Sequence, residues 1–266
     1  MSHPLNTPIG RFGIETLEGT GPHIVATIPV AGLVNPLTDA PTVAPLAMLL
    51  DHVGGLANHL RRAADEWTVS TELSLELVPE AAQLVAARDT PVAAHAVPFA
   101  HKTRTALATA EFRCGDTVIG TGTVRSFYVV ATEFTDPPAD PAHHVRKTTL
   151  ADMMAVRRGN ERPDGAAVLR QDADPVLDNS LGVVHGGVAA TGLELVASAA
   201  VNAGREGPPL HTGSLRVNYL SRLSAGGECR YEATTLRVGR STGIASARAI
   251  GADGQLALTA QYTAYR

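Results

Sequence analysis

The feature that most restricts the fold of this 266-residue chain is that it repeats itself. Setting Asp51 over Glu194 pairs Leu50 with Leu193, Val53 with Val196 and Ala57 with Ala200. Asn35 then falls one residue out of step with Asn179, which a single loop insertion absorbs. From the acid to the next strand is nineteen residues in one copy (Asp51 to Ser70) and eighteen in the other (Glu194 to Thr212). A loop, a long apolar helix and a run of alternating strands, met twice in that order, mark a tandem duplication.

In the first copy, residues 23–30 alternate as a strand whose end Pro29 demotes to an edge. Residues 42 to about 64 read as a helix, with Thr42 as N-cap and Pro45 in the first turn. Gly54-Gly55 inside it costs roughly 1 kcal/mol each against Ala, and close packing against a sheet accounts for the pair. The period then changes to two, giving strands over 67–78, 92–100, 103–114 and 117–130. Pro137, Pro138 and Pro141 with Asp136 and Asp140 mark a linker at 134–147, between an N-terminal unit (1–133) and a C-terminal unit (148–266). The second copy predicts a short helix near 150–157, a strand near 166–171 and a helix over about 186–203. Strands follow over 210–221, 227–238, 243–250 and 256–265. One long helix followed by a meander packs economically when the sheet curls around the helix. Two such units joined edge to edge hide their sheet edges and make one continuous sheet. The expected architecture is therefore an α+β pseudo-dimer, its two helices antiparallel across a pseudo-twofold axis.

Composition removes several functions. Hydrophobic residues make up 44%, charged residues 18%, and the formal charge is −4, so nothing suggests disorder or nucleic-acid binding. No apolar run has transmembrane length, and the N-terminus lacks the pattern of a signal peptide. Cys114 and Cys229 are far apart and without metal spacing, which suits a reducing compartment, so a cytoplasmic protein is expected.

The chemistry concentrates in Asn179 to Gly187, a polar loop closing onto a helix start at His185-Gly186-Gly187. Two glycines in the first turn leave backbone N–H groups unshielded, which makes an anion site or an oxyanion hole. Glu194 lies eight residues beyond Gly186, roughly 12 Å along the helix axis. It cannot serve a carbonyl bound at the start of its own helix. Across a pseudo-twofold axis, Asp51 can serve Gly186, and Glu194 can serve the loop at Thr42–Ala44. There, side chains crowd the amides and Pro45 removes a donor, so one good site and one degenerate site are expected.

Asn separated by five residues from His-Gly-Gly, with an acid nine residues after the His, resembles the hotdog-fold acyl-CoA thioesterases, most closely those of the phenylacetate-pathway type. The resemblance is specific over 179–266. The first half shares only Asp51, Ser70 and the strand pattern and lacks His-Gly-Gly. The whole chain thus resembles a tandem double hotdog, and the likeness implies hydrolysis of a CoA thioester without a cofactor or metal. On that likeness Gly186 is the oxyanion donor, while Asn179 and His185 orient the thioester or water. Asp51 and Glu194 match the catalytic acid, as general base or nucleophile. Ser70 and Thr212 match the strand hydroxyl beside the water, and Gly187, Thr212 and Arg240 are candidates for substrate contact. Association of the fused pseudo-dimer into a homo-oligomer is also expected.

Two other readings stay open: a non-catalytic acyl-CoA binding or sensing protein, and a hydratase of enoyl thioesters. Gly239-Arg240-Ser241-Thr242-Gly243 fits the Gly-x-Ser-x-Gly nucleophile pattern, but a strand rather than a helix follows it, so it reads as a β-turn. His143-His144 has no partner cluster for a metal site.

Overall fold

The structure is a computed structural model that describes residues 1–130, 133–139, 146–159 and 167–266. The first half runs α1 (Pro8–Arg11), β1 (Glu15–Glu18), β2 (Ile24–Ile28), α2 (Pro45–His59), β3 (Glu66–Leu77), α3 (Ala81–Ala87), β4 (Val92–Phe99), β5 (Thr105–Cys114) and β6 (Thr117–Val130). The second half runs α4 (Leu150–Met154), β7 (Val156–Arg158), β8 (Ala167–Gln171), a 3₁₀ turn (Pro175–Leu177), α5 (Gly186–Asn202), β9 (His211–Tyr219), β10 (Arg230–Val238), β11 (Thr242–Ile250) and β12 (Leu256–Tyr265).

Among the described residues, twelve strands form one antiparallel sheet in the order β1-β2-β4-β5-β6-β3-β9-β12-β11-β10-β8-β7. Read outward from its centre, each half has the same topology, so β1 to β6 correspond to β7 to β12. The halves join where β3 pairs with β9, with Leu73 opposite Val217 and Leu75 opposite Leu215. This is the continuous α+β sheet expected of a fused pseudo-dimer.

The sheet curls around two helices because each helix is apolar on the faces it presents. On α2, Leu46, Leu49, Leu50 and Val53 are fully buried, each contributing about 1.5–3 kcal/mol relative to exposure. The apolar α5 is buried from Gly187 to Ala197. The two helices touch through Gly187, where a Cβ would stand 2.8 Å from the Met48 Cα. Only glycine allows backbones so close.

Some sequence expectations need correction. Helix α2 is shorter than 42–64, and its N-cap position is Ala44, which makes no side-chain cap bond. Thr42 accepts instead from the Ala44 N–H at 3.2 Å, one turn of chain before the helix. The helix expected at 150–157 stops at Met154, because Ala155 turns left-handed (φ 50°) and the chain continues as β7. Helices α1 and α3 and strand β1 were not anticipated. Part of the linker call, residues 140–145, lies outside the described residues, as do Ala166 and the pair His143-His144.

Candidate active site

Asp51 is on the face of α2 that meets the start of α5. Ser70 Oγ donates to its Oδ1 at 2.8 Å. A period-two strand would put Ser70 and Leu73 on opposite faces, yet Leu73 is in the core. The register shift between Ser70 and Glu72 resolves this, since the bulged Thr71 lets both side chains point inward. Strand β9 has the matching irregularity: Thr212 and Ser214 face consecutive residues of β12 with Gly213 between them. The hydroxyl beside each acid is therefore aimed by a bulge.

His185 caps α5, its Nδ1 accepting from the Gly187 N–H at 3.1 Å. The same Nδ1 is 3.4 Å from Asp51 Oδ2. Burial lowers the His185 pKa against the opposing pull of Asp51. A neutral ring accepting at Nδ1 carries its proton on Nε2, which has no acceptor among the described residues.

Gly186 is the point of closest approach. A Cβ there would lie 2.9 Å from Asp51 Oδ2 and 3.2 Å from the Tyr219 ring. As the first residue of α5 its N–H has no intrahelical acceptor, and none of the described residues accepts from it. Its carbonyl accepts from Tyr219 Oη at 3.2 Å. Asn179 forms an Asx turn, its Oδ1 accepting from the Leu181 N–H at 2.9 Å. That leaves its Nδ2 without a described acceptor. Asp51, Ser70, Asn179, His185 and Gly186 all line one cavity of about 810 Å³.

The glycine loop could be read from sequence, but several walls of this cavity could not. Tyr219, at the end of β9, lies in it, and so does His52, whose pKa burial lowers to about 3. His52 Nε2 is bonded to Thr16 Oγ1 at 2.8 Å, and Thr16 in turn to His3 Nε2 at 2.8 Å. Residues 135–138, taken as linker, cross the cavity wall, tied down by Thr135 N–H to Ser180 O at 2.8 Å and Asn6 Nδ2 to Pro138 O at 2.7 Å. Their proline content signals an extended loop but not where it docks.

Glu194 and Thr212 occupy a second, smaller cavity of about 220 Å³. Thr212 Oγ1 donates to Glu194 Oε1 at 2.5 Å, and Ser198 Oγ lies 3.5 Å from Oε2. Burial raises the Glu194 pKa to about 7. Val43 stands at the position of Gly186, and α3, which has no counterpart in the second half, contributes Ala82, Gln83 and Ala86 to the wall.

Two candidates lie elsewhere. Gly187 is buried against Met48 and serves helix packing, outside the cavity lining. Arg240 lies in the turn between β10 and β11, lining neither cavity, and Arg205 holds its carbonyl oxygen. The Gly-x-Ser-x-Gly match is that same turn, closed by Gly239 N–H to Thr242 O at 2.8 Å. Arg222, at the rim of the larger cavity, is the cation sequence reasoning missed; nothing in a one-dimensional pattern separates it from any surface arginine.

Among the described residues, no cluster of three or more His, Cys, Asp or Glu could hold a metal, and no helix is long and apolar enough to cross a membrane. No curated protein matches the chain in sequence. Residues 181–258 match the family model described as Thioesterase superfamily. Three solved structures are similar over nearly the whole chain. A TesB protein of Mycobacterium avium subspecies paratuberculosis has a TM-score of 0.63 at 14% identity, with 97% of each chain covered. The acyl-CoA thioesterase II TesB2 of Mycobacterium marinum has 0.60 at 11%, again with 97% of each covered. A hot-dog-fold protein of unknown function from Alicyclobacillus acidocaldarius has 0.57 at 17%, covering 94% of this chain and 95% of that one. At such identities the likeness is one of fold. The family match thus covers His185, Gly186 and Glu194, and the chain as a whole has the fold of a double hotdog.

Proposed function

We propose that the chain is an acyl-CoA thioesterase whose working site is the larger cavity, shared between units of residues 1–133 and 148–266. The observation that carries this is the meeting of Asp51 Oδ2 with the start of α5, where the Gly186 N–H is without an acceptor among the described residues. In this reading the thioester carbonyl oxygen lies on the Gly186 N–H at the positive end of α5. Asp51, held by Ser70, takes a proton from water as the water oxygen bonds to the carbonyl carbon. The tetrahedral oxyanion collapses, the C–S bond breaks, and the thiolate leaves with a proton to give free acid and CoA. Asn179 Nδ2 and His185 Nε2–H, unengaged among the described residues, are the donors that orient the substrate. Direct attack by Asp51, through an anhydride, uses the same contacts and differs in labelling: single turnover in H₂¹⁸O puts label into Asp51 only by that route.

Release of thiol from a panel of acyl-CoA esters tests the reading. Turnover by the wild type, lost in Asp51→Asn, supports it. Tight binding of acyl-CoA without thiol release, unaffected by Asp51→Asn, instead makes the protein a binder or sensor.

A further inference from the structure

The smaller cavity is an internal control for the larger one. With Asp51 set on Glu194, Gly55 and His59 of α2 correspond to Ser198 and Asn202 of α5, and each trio lines its own cavity. In the smaller cavity, Ser198 Oγ accepts from Asn35 Nδ2 at 3.1 Å, while that Nδ2 also reaches Leu195 O at 2.8 Å. Asn202 Nδ2 is drawn back to Leu210 O at 3.0 Å. The serine thus latches the loop asparagine across the space along α5.

In the larger cavity the latch is missing. A Cβ on Gly55 would meet nothing within 4 Å, whereas one on neighbouring Gly54 would stand 2.7 Å from Val124 Cγ2. The two glycines, paired in sequence, have different tasks: Gly54 lets α2 sit on the sheet, and Gly55 leaves open space. Asn179, the counterpart of Asn35, accordingly finds no side-chain acceptor there. Beyond Gly55 the cavity reaches His59, whose ring meets Trp67 edge-on at 4.5 Å and whose Nδ1 is bonded to Thr68 Oγ1 at 2.8 Å. Asp51 to His59 spans eight residues, roughly 12 Å of helix.

We infer that Gly55 is the specificity-determining residue of this site: the acyl group lies along α2 from Asp51 over Gly55, and the His59–Trp67 wall ends it. The substrates are then thioesters of medium-length or aryl-ended acids, in preference to acetyl. This inference rests on the hydrolytic reading above. Larger residues at position 55 raise helix propensity, so the variants retain the fold.

The test compares kcat/KM for acetyl-, hexanoyl-, decanoyl- and phenylacetyl-CoA in the wild type, Gly55→Ala and Gly55→Leu. The wild type is expected to favour decanoyl- and phenylacetyl-CoA over acetyl-CoA by about tenfold or more. Gly55→Leu is expected to cut the decanoyl-to-acetyl ratio at least about tenfold, and Gly55→Ala less, as a few buried carbons discriminate by that order. A ratio unchanged in Gly55→Leu, or a wild type that prefers acetyl-CoA, overturns the assignment. Should the wild type release no thiol from any ester, the hydrolytic reading fails. Equilibrium binding then decides the acyl arm: it stands if Gly55→Leu weakens decanoyl-CoA more than acetyl-CoA, and falls if both weaken alike.

Discussion

The two cavities begin from the same parts and end differently. Each has an acid on a helix, a strand hydroxyl aimed by a bulge, and a loop asparagine in an Asx turn. Each helix is entered in the same way too: Thr42 accepts from the N–H two residues on, as His185 does. The divergence is in what the acid's second oxygen finds. Asp51 turns Oδ2 to the cap of the opposite helix, near Gly186. Glu194 turns Oε2 back to Ser198 on its own helix. A valine at the helix entrance, a serine one turn past the acid and the wall added by α3 distinguish the smaller cavity from the larger.

The comparison is most sharply tested at the acids. Asp51→Asn is expected to lower kcat by about 10³-fold, within the range for a general base, while Glu194→Gln changes it less than about threefold; equal losses would abolish the asymmetry. Next in size, Gly186→Val copies the entrance of the second pocket into the first. Its Cβ meets Asp51 Oδ2, and a loss of about 10²-fold in kcat is expected, comparable to removal of an oxyanion donor.

Glu194 gives a pH signature instead. Burial raises it to about 7 from 4.5, so between those values the folded protein holds a proton that the unfolded chain has released. Stability contributed by this group therefore falls as pH rises through that window, by up to about 3 kcal/mol, and levels off above it. In urea melts from pH 4.5 to 8, the stability of wild type relative to Glu194→Gln is expected to fall with pH, since the lowered His52 and His185 act equally on both proteins. The smallest effect belongs to Ser198→Gly, which costs roughly 0.5 kcal/mol of helix stability, removes one of the two acceptors of Asn35 Nδ2, and in an Asp51→Asn background restores no thiol release because Val43 remains. New turnover at that pocket would show that the serine latch alone silences it.

Much of the fold was legible in sequence because duplication prints every signal twice. The helix carrying Asp51 is credible chiefly because a second helix carries Glu194 at the same place in its apolar pattern. The site was legible where local chemistry suffices, as in His185-Gly186-Gly187, and where helical rise excluded Glu194 from its own helix end. What stayed hidden depends on register and docking. Tyr219 reaches Gly186 only through the pairing of β9 with its neighbours, and α3 is too short for periodicity to reveal. Residues 135–138 read as a tether and turn out to wall the cavity. Gly54 and Gly55 were indistinguishable because one step along a helix turns a residue by about 100°, and only the position of the sheet says which of them is covered.

The pairing of β3 with β9 also bears on how the proposed site responds to dilution. Asp51 comes from one side of that seam and Gly186 from the other, within a single chain. Two separate hotdog subunits would hold such a site by mass action and lose it as they parted. Here, the acid meets its glycine at an effective concentration fixed by covalent connection. On the proposed function, thiol release per chain is therefore expected to stay constant as the protein is diluted.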